Sequence, residues 1–340
     1  MAQPMAVWGI HMGEHVAARP IEQGYVAIGW PEMGDLRQYP DREALKVALA
    51  RIYPDKKPGA LPVDAGTLFR FCREIRAGDI VIYPSKHDRM VNVGRFRGDY
   101  AHVLGDPDEY PNHRRVEWLG RFPRNSFSQS ALNEIGSFIT LFAVREHAAE
   151  FLDKIGLAAP QPSDTAALPA EPATDDDTAT VAVSRQAEMT TGDFVIRQII
   201  AKLSGYEFEE LVAHLLECMD YTARVTPRSG DGGVDVIAHR DKLGFEPPIL
   251  KVQCKRKTDQ ISRPEVDQLL GTLGEGECGL FITLGSYSSQ SIQLERNRPK
   301  LRLIDGEDFV ELLLEHYARL APRYRSIIPL KQIYVPDLQG

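Results

Sequence analysis

No apolar run in the 340 residues approaches the ~20 that a membrane-spanning helix needs, and the opening Met1-Ala2-Gln3-Pro4-Met5 has neither the basic start nor the apolar core of a signal peptide. The chain is therefore expected in the cytoplasm, with no membrane partner. Cysteine is scarce: the four thiols, at positions 72, 218, 254 and 278, form no CxxC pair and have no histidines at zinc spacing. That pattern points to reduced thiols, not to a disulfide framework or a structural metal. A GxxxxGK[ST] loop is also missing, so the chain by itself offers no cradle for nucleotide hydrolysis, and ATP-driven translocation would need another subunit. What is present is ordinary for a globular protein, with 43% hydrophobic and 26% charged residues, which excludes collagen-like and wholly disordered classes.

The length is about twice that of a typical domain, so two domains are expected. The formal net charge of −8 argues against nucleic acid only weakly, because residues 1–150 carry 19 basic and 19 acidic side chains and much of the negative balance falls within 151–190. Local basic clusters decide whether phosphate is bound. Residues 157–191 are rich in Ala, Pro, Asp and Thr and nearly devoid of large apolar side chains. Such a stretch buries too little surface to offset its ordering entropy and is read as a flexible linker. It separates a first domain, 1–156, from a second, 192–320, with 321–340 as a tail.

Short apolar runs bounded by Gly and Pro, at Tyr25–Trp30, Asp79–Tyr83 and Met90–Gly94, predict strands of a small sheet or barrel. Helical spacing over 42–52 and Ala65–Ile75, with a third helix near Glu146–Ile155, makes the first domain an α+β module dominated by a curved sheet. The second domain reads as a long helix from about Asp193 to Met219, strands at Thr222–Thr226, Val234–His239 and Ile249–Lys255, then a helix at Arg263–Leu273. A strand at Gly279–Leu284, a helix at Ser288–Asn297, a strand at Leu301–Ile304 and a helix at Asp308–Leu320 complete it. This order predicts a central mixed sheet flanked by helices.

The segment Ser229-Gly-Asp-Gly-Gly-Val-Asp235, followed by Val252-Gln253-Cys254-Lys255-Arg256, carries the chemistry. Side chains alternate along a strand, so Gln253 and Lys255 share one face. A hairpin around Gly244–Pro248 would bring Asp235 to the same patch. A carboxylate, an amide oxygen and an ammonium meeting there suit phosphodiester cleavage assisted by a hard cation, Mg²⁺ or Mn²⁺. The amide brings no formal charge, so a further carboxylate is expected. Glu209, flanked by Glu207 and Glu210 on the first helix, is the candidate. Lys251, Arg256, Lys257 and Arg263 are expected to hold DNA phosphates, and Cys254 to be a core residue.

Phe208-Glu209, the Gly-Asp-Gly-Gly-Val-Asp235 turn, Gln253-Cys254-Lys255, Gly279-Leu-Phe-Ile-Thr283 and Leu303-Ile-Asp-Gly306 together resemble the catalytic domain of Mrr-type restriction endonucleases, a branch of the PD-(D/E)xK superfamily. The resemblance covers residues 204–315. It implies the PD-(D/E)xK nuclease fold, with Asp235, Gln253 and Lys255 as the catalytic set and Glu209 assisting the metal. Gln253 stands where the wider superfamily often has Asp or Glu, but QxK is the form usual in the Mrr branch.

In the first domain, arginines at 95, 97, 114, 115, 121 and 124 interleave with Tyr100 and Trp118, which suits a surface that tracks phosphates and stacks a base, while Trp8, Trp30 and Trp118 also read as core aromatics. Gly29-Trp30, the run Phe71–Ile82, Val93–Tyr100 and Arg114–Trp118 resemble the EVE branch of the PUA-like fold. That resemblance implies a small β-barrel with helices. It makes Trp30, Tyr83, Tyr100 and Trp118 candidates for a pocket that holds a modified or flipped base.

The resulting expectation is a type IV-like, modification-sensing DNA endonuclease of restriction or phage defence. It would act on double-stranded DNA as a homodimer or larger assembly, since a duplex needs two cuts. Two other readings stay open: a nuclease switched on by a signalling nucleotide or partner protein bound to the first domain, and a DNA-binding protein that kept the fold but not catalysis. Two further matches carry nothing. His11-Met-Gly-Glu14-His15 fits HxxEH, but a glycine interrupts the helix that such ligands require. Gly274–Gly279 fits GxGxxG but precedes a strand.

Overall fold

The computed structural model describes residues 5–136, 139–157, 176–227, 233–241, 244 and 246–332. Two units form, divided between Met189 and Thr190. In the first, the elements run β1 (Val7–Ile10), α1 (Arg19–Gln23), β2 (Tyr25–Ile28), α2 (Arg42–Ile52), α3 (Ala60–Phe69), β3 (Ile80–Pro84), β4 (Met90–His102), β5 (Asn112–Pro123), α4 (Gln129–Ile135), β6 (Leu141–Ala143) and α5 (Ala148–Lys154). The strands order as β2-β5-β4-β3-β1-β6, with β1 and β3 parallel and the other pairs antiparallel.

Strand alternation explains why β1 and β3 are buried throughout. Val81 and Tyr83 face one core with Trp8, Leu45, Leu49, Leu68 and Phe71, while Ile80 and Ile82 face a second with Val7, Leu132, Phe142 and Phe151. Helices cover both faces, so near-continuous apolar strands result. The expected barrel is only half realised: among the described residues β2 and β6 are unpaired edges, and the sheet curls without closing. Trp8 is a core residue, its Nε1 donating to the buried Asp79 carboxylate at 3.1 Å.

The second unit contains the C-terminal part of α6 (Asp176–Lys202), then α7 (Gly205–Cys218), β7 (Thr222–Val225), β8 (Val236–His239), β9 (Ile249–Lys255), α8 (Arg263–Leu270), β10 (Glu277–Thr283), α9 (Ser289–Arg296), β11 (Leu301–Ile304), α10 (Gly306–Glu315) and α11 (Pro322–Ile327). The sheet order is β11-β10-β9-β8-β7, parallel from β9 to β11 and antiparallel from β7 to β9. One face packs on α6, α7 and α10 through Ile199, Phe208, Leu211, Val252, Ile282 and Phe309. The other packs on α8 and α9 through Val266, Leu269, Phe281 and Leu294. This is the mixed sheet flanked by helices that the sequence predicts.

Three expectations need correction or restriction. Of the expected linker 157–191, residues 158–175 lie outside the described residues, and from Asp176 the backbone is helical, continuing into α6. The single helix Asp193–Met219 is two helices. Ser204 accepts from the Glu207 amide and Glu207 reaches back to the Ser204 amide, a reciprocal cap that starts a new helix. The expected tail begins with structure: Tyr324 and Ile328 are buried in the core, and the Ala321 amide donates to His214 Nε2 at 2.9 Å.

Candidate active site

β8 and β9 pair with Val236 opposite Val252, and just before β8 the Asp235 amide donates to the Val252 carbonyl at 2.8 Å. The ladder thus sets Asp235 beside Gln253. From the end of β7, the Thr226 amide donates to the Asp235 carbonyl at 2.9 Å and the Thr226 hydroxyl donates to the Val234 carbonyl at 2.6 Å. With its backbone held on both sides, the Asp235 carboxylate turns onto β9, where Oδ2 accepts from the Cys254 amide at 2.7 Å. Burial pushes the Asp235 carboxyl above its ordinary range, opposed by that amide and by the nearby Lys255 ammonium.

Gln253 is 3% exposed, and its Oε1 has no hydrogen-bond partner among the described residues. Natural interiors rarely leave a buried carbonyl oxygen unpaired. Beside it sits Gly233, at φ +95°, where a Cβ would lie 3.1 Å from Gln253 Nε2. This close approach is the demand that the glycine meets. The preceding turn residues Ser229, Gly230, Asp231 and Gly232 lie outside the described residues.

Lys255 ends β9 opposite Thr283 of β10. The fully buried Thr283 hydroxyl shares its hydrogen between the carbonyls of Lys255 (3.3 Å) and Lys257 (3.2 Å), and accepts from the Gly285 amide at 3.2 Å. The three acids of α7 separate by partner. Glu207 caps its own helix, and Glu210 lies 3.7 Å from Arg323. Glu209 is half-buried, and its charge reaches β9: the Cys254 thiol is pushed well up by burial, then by the fields of Asp235 and Glu209, against that of Lys255. Cys254 is a core residue, as expected.

Among the described residues no three His, Cys, Asp or Glu side chains gather as a metal cluster. The oxygen-bearing side chains around β9 that the sequence singled out are the two carboxylates Asp235 and Glu209 and the Gln253 amide. Oxygen donors suit a hard cation, and a buried carbonyl oxygen with no partner among the described residues has the chemistry of such a ligand.

The other candidates scatter. Lys251 Nζ pairs with Glu277 at 2.8 Å and donates to the Thr272 carbonyl at 2.6 Å, four residues upstream of Lys255 on β9. Arg256 donates to the Ile200 carbonyl at 2.7 Å, Lys257 pairs with Glu265 at 2.7 Å, and Arg263 pairs with Asp267 at 3.4 Å. In the first unit, the Tyr83 and Trp118 rings meet at 6.2 Å, and Trp118 Nε1 donates to the Pro20 carbonyl at 2.9 Å. Tyr100 is bound elsewhere, its hydroxyl donating to Asn112 at 2.7 Å and accepting from the Leu36 amide at 3.1 Å. Trp30 lies under the Lys56 ammonium, 5.2 Å from the ring centre. Thr226 and Thr283 escaped the reading of the sequence. The available signal was a threonine at the end of each strand flanking the β8–β9 pair.

Residues 200–313 match a family described as restriction endonuclease, the Mrr catalytic family, and residues 8–144 match a domain family of unknown function. The type IV methyl-directed restriction enzyme EcoKMrr of Escherichia coli (strain K12) is 29% identical over 149 residues. The match covers 42% of this chain and spans about half of that enzyme's length, 48%. Among solved structures, the MspJI restriction endonuclease in complex with a 27-mer oligonucleotide aligns with a TM-score of 0.33 at 14% identity, over 79% of this chain and 66% of that one. The DNA modification-dependent restriction endonuclease AspBHI aligns with a TM-score of 0.32 at 15% identity, over 78% and 70%. With the family match lying on the unit that holds Asp235, Gln253 and Lys255, residues 200–313 are an Mrr-type restriction endonuclease domain.

Proposed function

We propose that the chain is a metal-dependent DNA endonuclease in which Asp235, Gln253 and Glu209 hold Mg²⁺ or Mn²⁺ and Lys255 acts on the attacking water. The observation that carries this reading is the buried Gln253 oxygen, which has no partner among the described residues, on the strand that receives the Asp235 carboxylate. Once bound, the ion would neutralise the scissile phosphate and acidify water. Asp235 keeps one oxygen on the Cys254 amide, which orients the carboxylate and leaves its other oxygen for the ion. Gln253 adds an oxygen without adding charge, so the site repels the phosphate less than a third carboxylate would. Lys255, held through its carbonyl by Thr283, positions the water and offsets charge on the scissile phosphate with its ammonium, the water's proton passing to solvent.

The first unit, read as an EVE/PUA-like module, senses an altered base, with the half-buried Trp118, backed by the core ring of Tyr83, as the ring that stacks on it. The relative described as a methyl-directed restriction enzyme supports a modified-DNA substrate. The substrate is then duplex DNA carrying modified bases, and two copies are needed for a double-strand cut. The test is digestion of plain, cytosine-methylated, hydroxymethylated and glucosylated DNA with Mg²⁺ and no nucleotide. Cutting of one modified substrate, lost in Asp235→Ala and Lys255→Ala, supports the proposal. Undiminished cutting by either variant removes the mechanism, and equal cutting of all four substrates removes the sensor.

A further inference from the structure

Outside the site just described, α8 and α9 enclose a groove of about 410 Å³ lined by Arg263, Gln290, Gln293, Leu294, Asn297 and Arg298. Gln290, Gln293 and Asn297 are spaced by three and four residues, so they share one side of α9 and its C-terminal cap. Leu294 is the buried floor, and the other five lining residues are exposed. Among the described residues no carboxylate lines the groove. The neighbouring acids face other partners: Glu265 takes Lys257, and Glu295 takes Arg302 at 3.4 Å and the Leu303 amide at 2.9 Å. Asp267, at 3.4 Å from Arg263, offsets one of the two guanidiniums, while Arg298 forms no ion pair among the described residues.

Small-molecule pockets are mostly apolar with a few polar groups. This groove inverts that ratio: one leucine lies beneath two guanidiniums and three primary amides, all able to donate hydrogen bonds. An array of donors open to solvent suits a phosphodiester backbone, which accepts along its whole length and carries one charge per phosphate. The groove also starts close to the catalytic strand. Arg263 opens α8, and Glu265 in the same turn holds Lys257, two residues beyond Lys255.

We infer that the α8–α9 groove binds the sugar-phosphate backbone of duplex DNA flanking the cut, a sequence-independent contact separate from both the metal site and the base reader. This rests on the endonuclease reading above. The experiment measures binding of the full chain to a plain duplex oligonucleotide, in chelator, across a salt series. Arg298→Ala and Arg263→Ala should each reduce the slope of log affinity against log salt by about 0.9, and together by about twice that. Arg298→Lys should restore the slope. Gln290→Ala with Gln293→Ala should weaken binding roughly three- to tenfold at an unchanged slope. Arg302→Ala, outside the groove, should change neither. Wild-type slopes in both arginine variants, or an equal drop in Arg302→Ala, would overturn the inference. Mg²⁺-dependent cutting by the unaltered chain reports separately on the endonuclease reading, so the two can fail independently.

Discussion

Replacing Gln253 by Met should make the protein more stable without metal and less stable with it. Methionine keeps an unbranched side chain of similar length but removes the buried oxygen that finds no donor among the described residues. Leaving such an acceptor buried costs about 1–3 kcal/mol, and part of the relief is spent fitting the thioether, so a net gain of about 1 kcal/mol is expected in chelator. For a unit of this size that raises the melting temperature by about 2–4 °C. With Mg²⁺ at a hundred times its dissociation constant, the wild type gains about 2.7 kcal/mol and the variant, short of a ligand, gains far less. The order of the two melting curves therefore reverses between chelator and saturating Mg²⁺, while cutting is lost in the variant. Thermal melts of both proteins in the two buffers decide the matter. A variant that melts below the wild type in chelator would show that the oxygen supports the fold, and the reasoning from its orphaned state would be refuted.

Other outcomes follow from the same geometry. Gly233→Ala forces a side chain into positive φ and against Gln253 Nε2, and should cost about 1–2 kcal/mol by urea unfolding while reducing cutting beyond what the lost stability explains. Ser204→Ala removes the cap that starts α7 and should cost about 1 kcal/mol in the same assay, with a Ser204→Asp control close to wild type. Burial and the neighbouring Asp305 push the Asp308 carboxyl up to about 6. The folded state therefore holds a proton that the unfolded chain releases first, and stability from this group, complete below the ordinary aspartate value, is lost as pH rises toward 6. Asp308→Asn should then be more stable than wild type at pH 8 and equal to it near pH 3; equal stability at both would refute the shift.

Much of the catalytic unit was legible because its signals are local. Alternation along Ile249–Lys255 puts Gln253 and Lys255 on one side whatever the strand pairs with, and the apolar stripe of Phe208, Leu211, Val212 and Leu215 marks a helix before any partner is known. Local reading failed where a side chain had a choice of partners. Glu209 was singled out from Glu207 and Glu210 in the sequence, but the Arg323 partner of Glu210 and the field of Glu209 at Cys254 come from residues far along the chain. Lys251 and Lys255 share a strand face, yet Glu277 on the next strand claims the first. Of the four aromatics expected in a pocket, packing joined Tyr83 to Trp118, while a sheet asparagine claimed Tyr100. Periodicity, turns and the order of elements depend on neighbours in the chain, and they were enough to predict the mixed sheet. Which charge is neutralised, which oxygen stays unpaired and whether the first sheet closes depend on residues far apart in sequence, and those the tertiary structure alone decided.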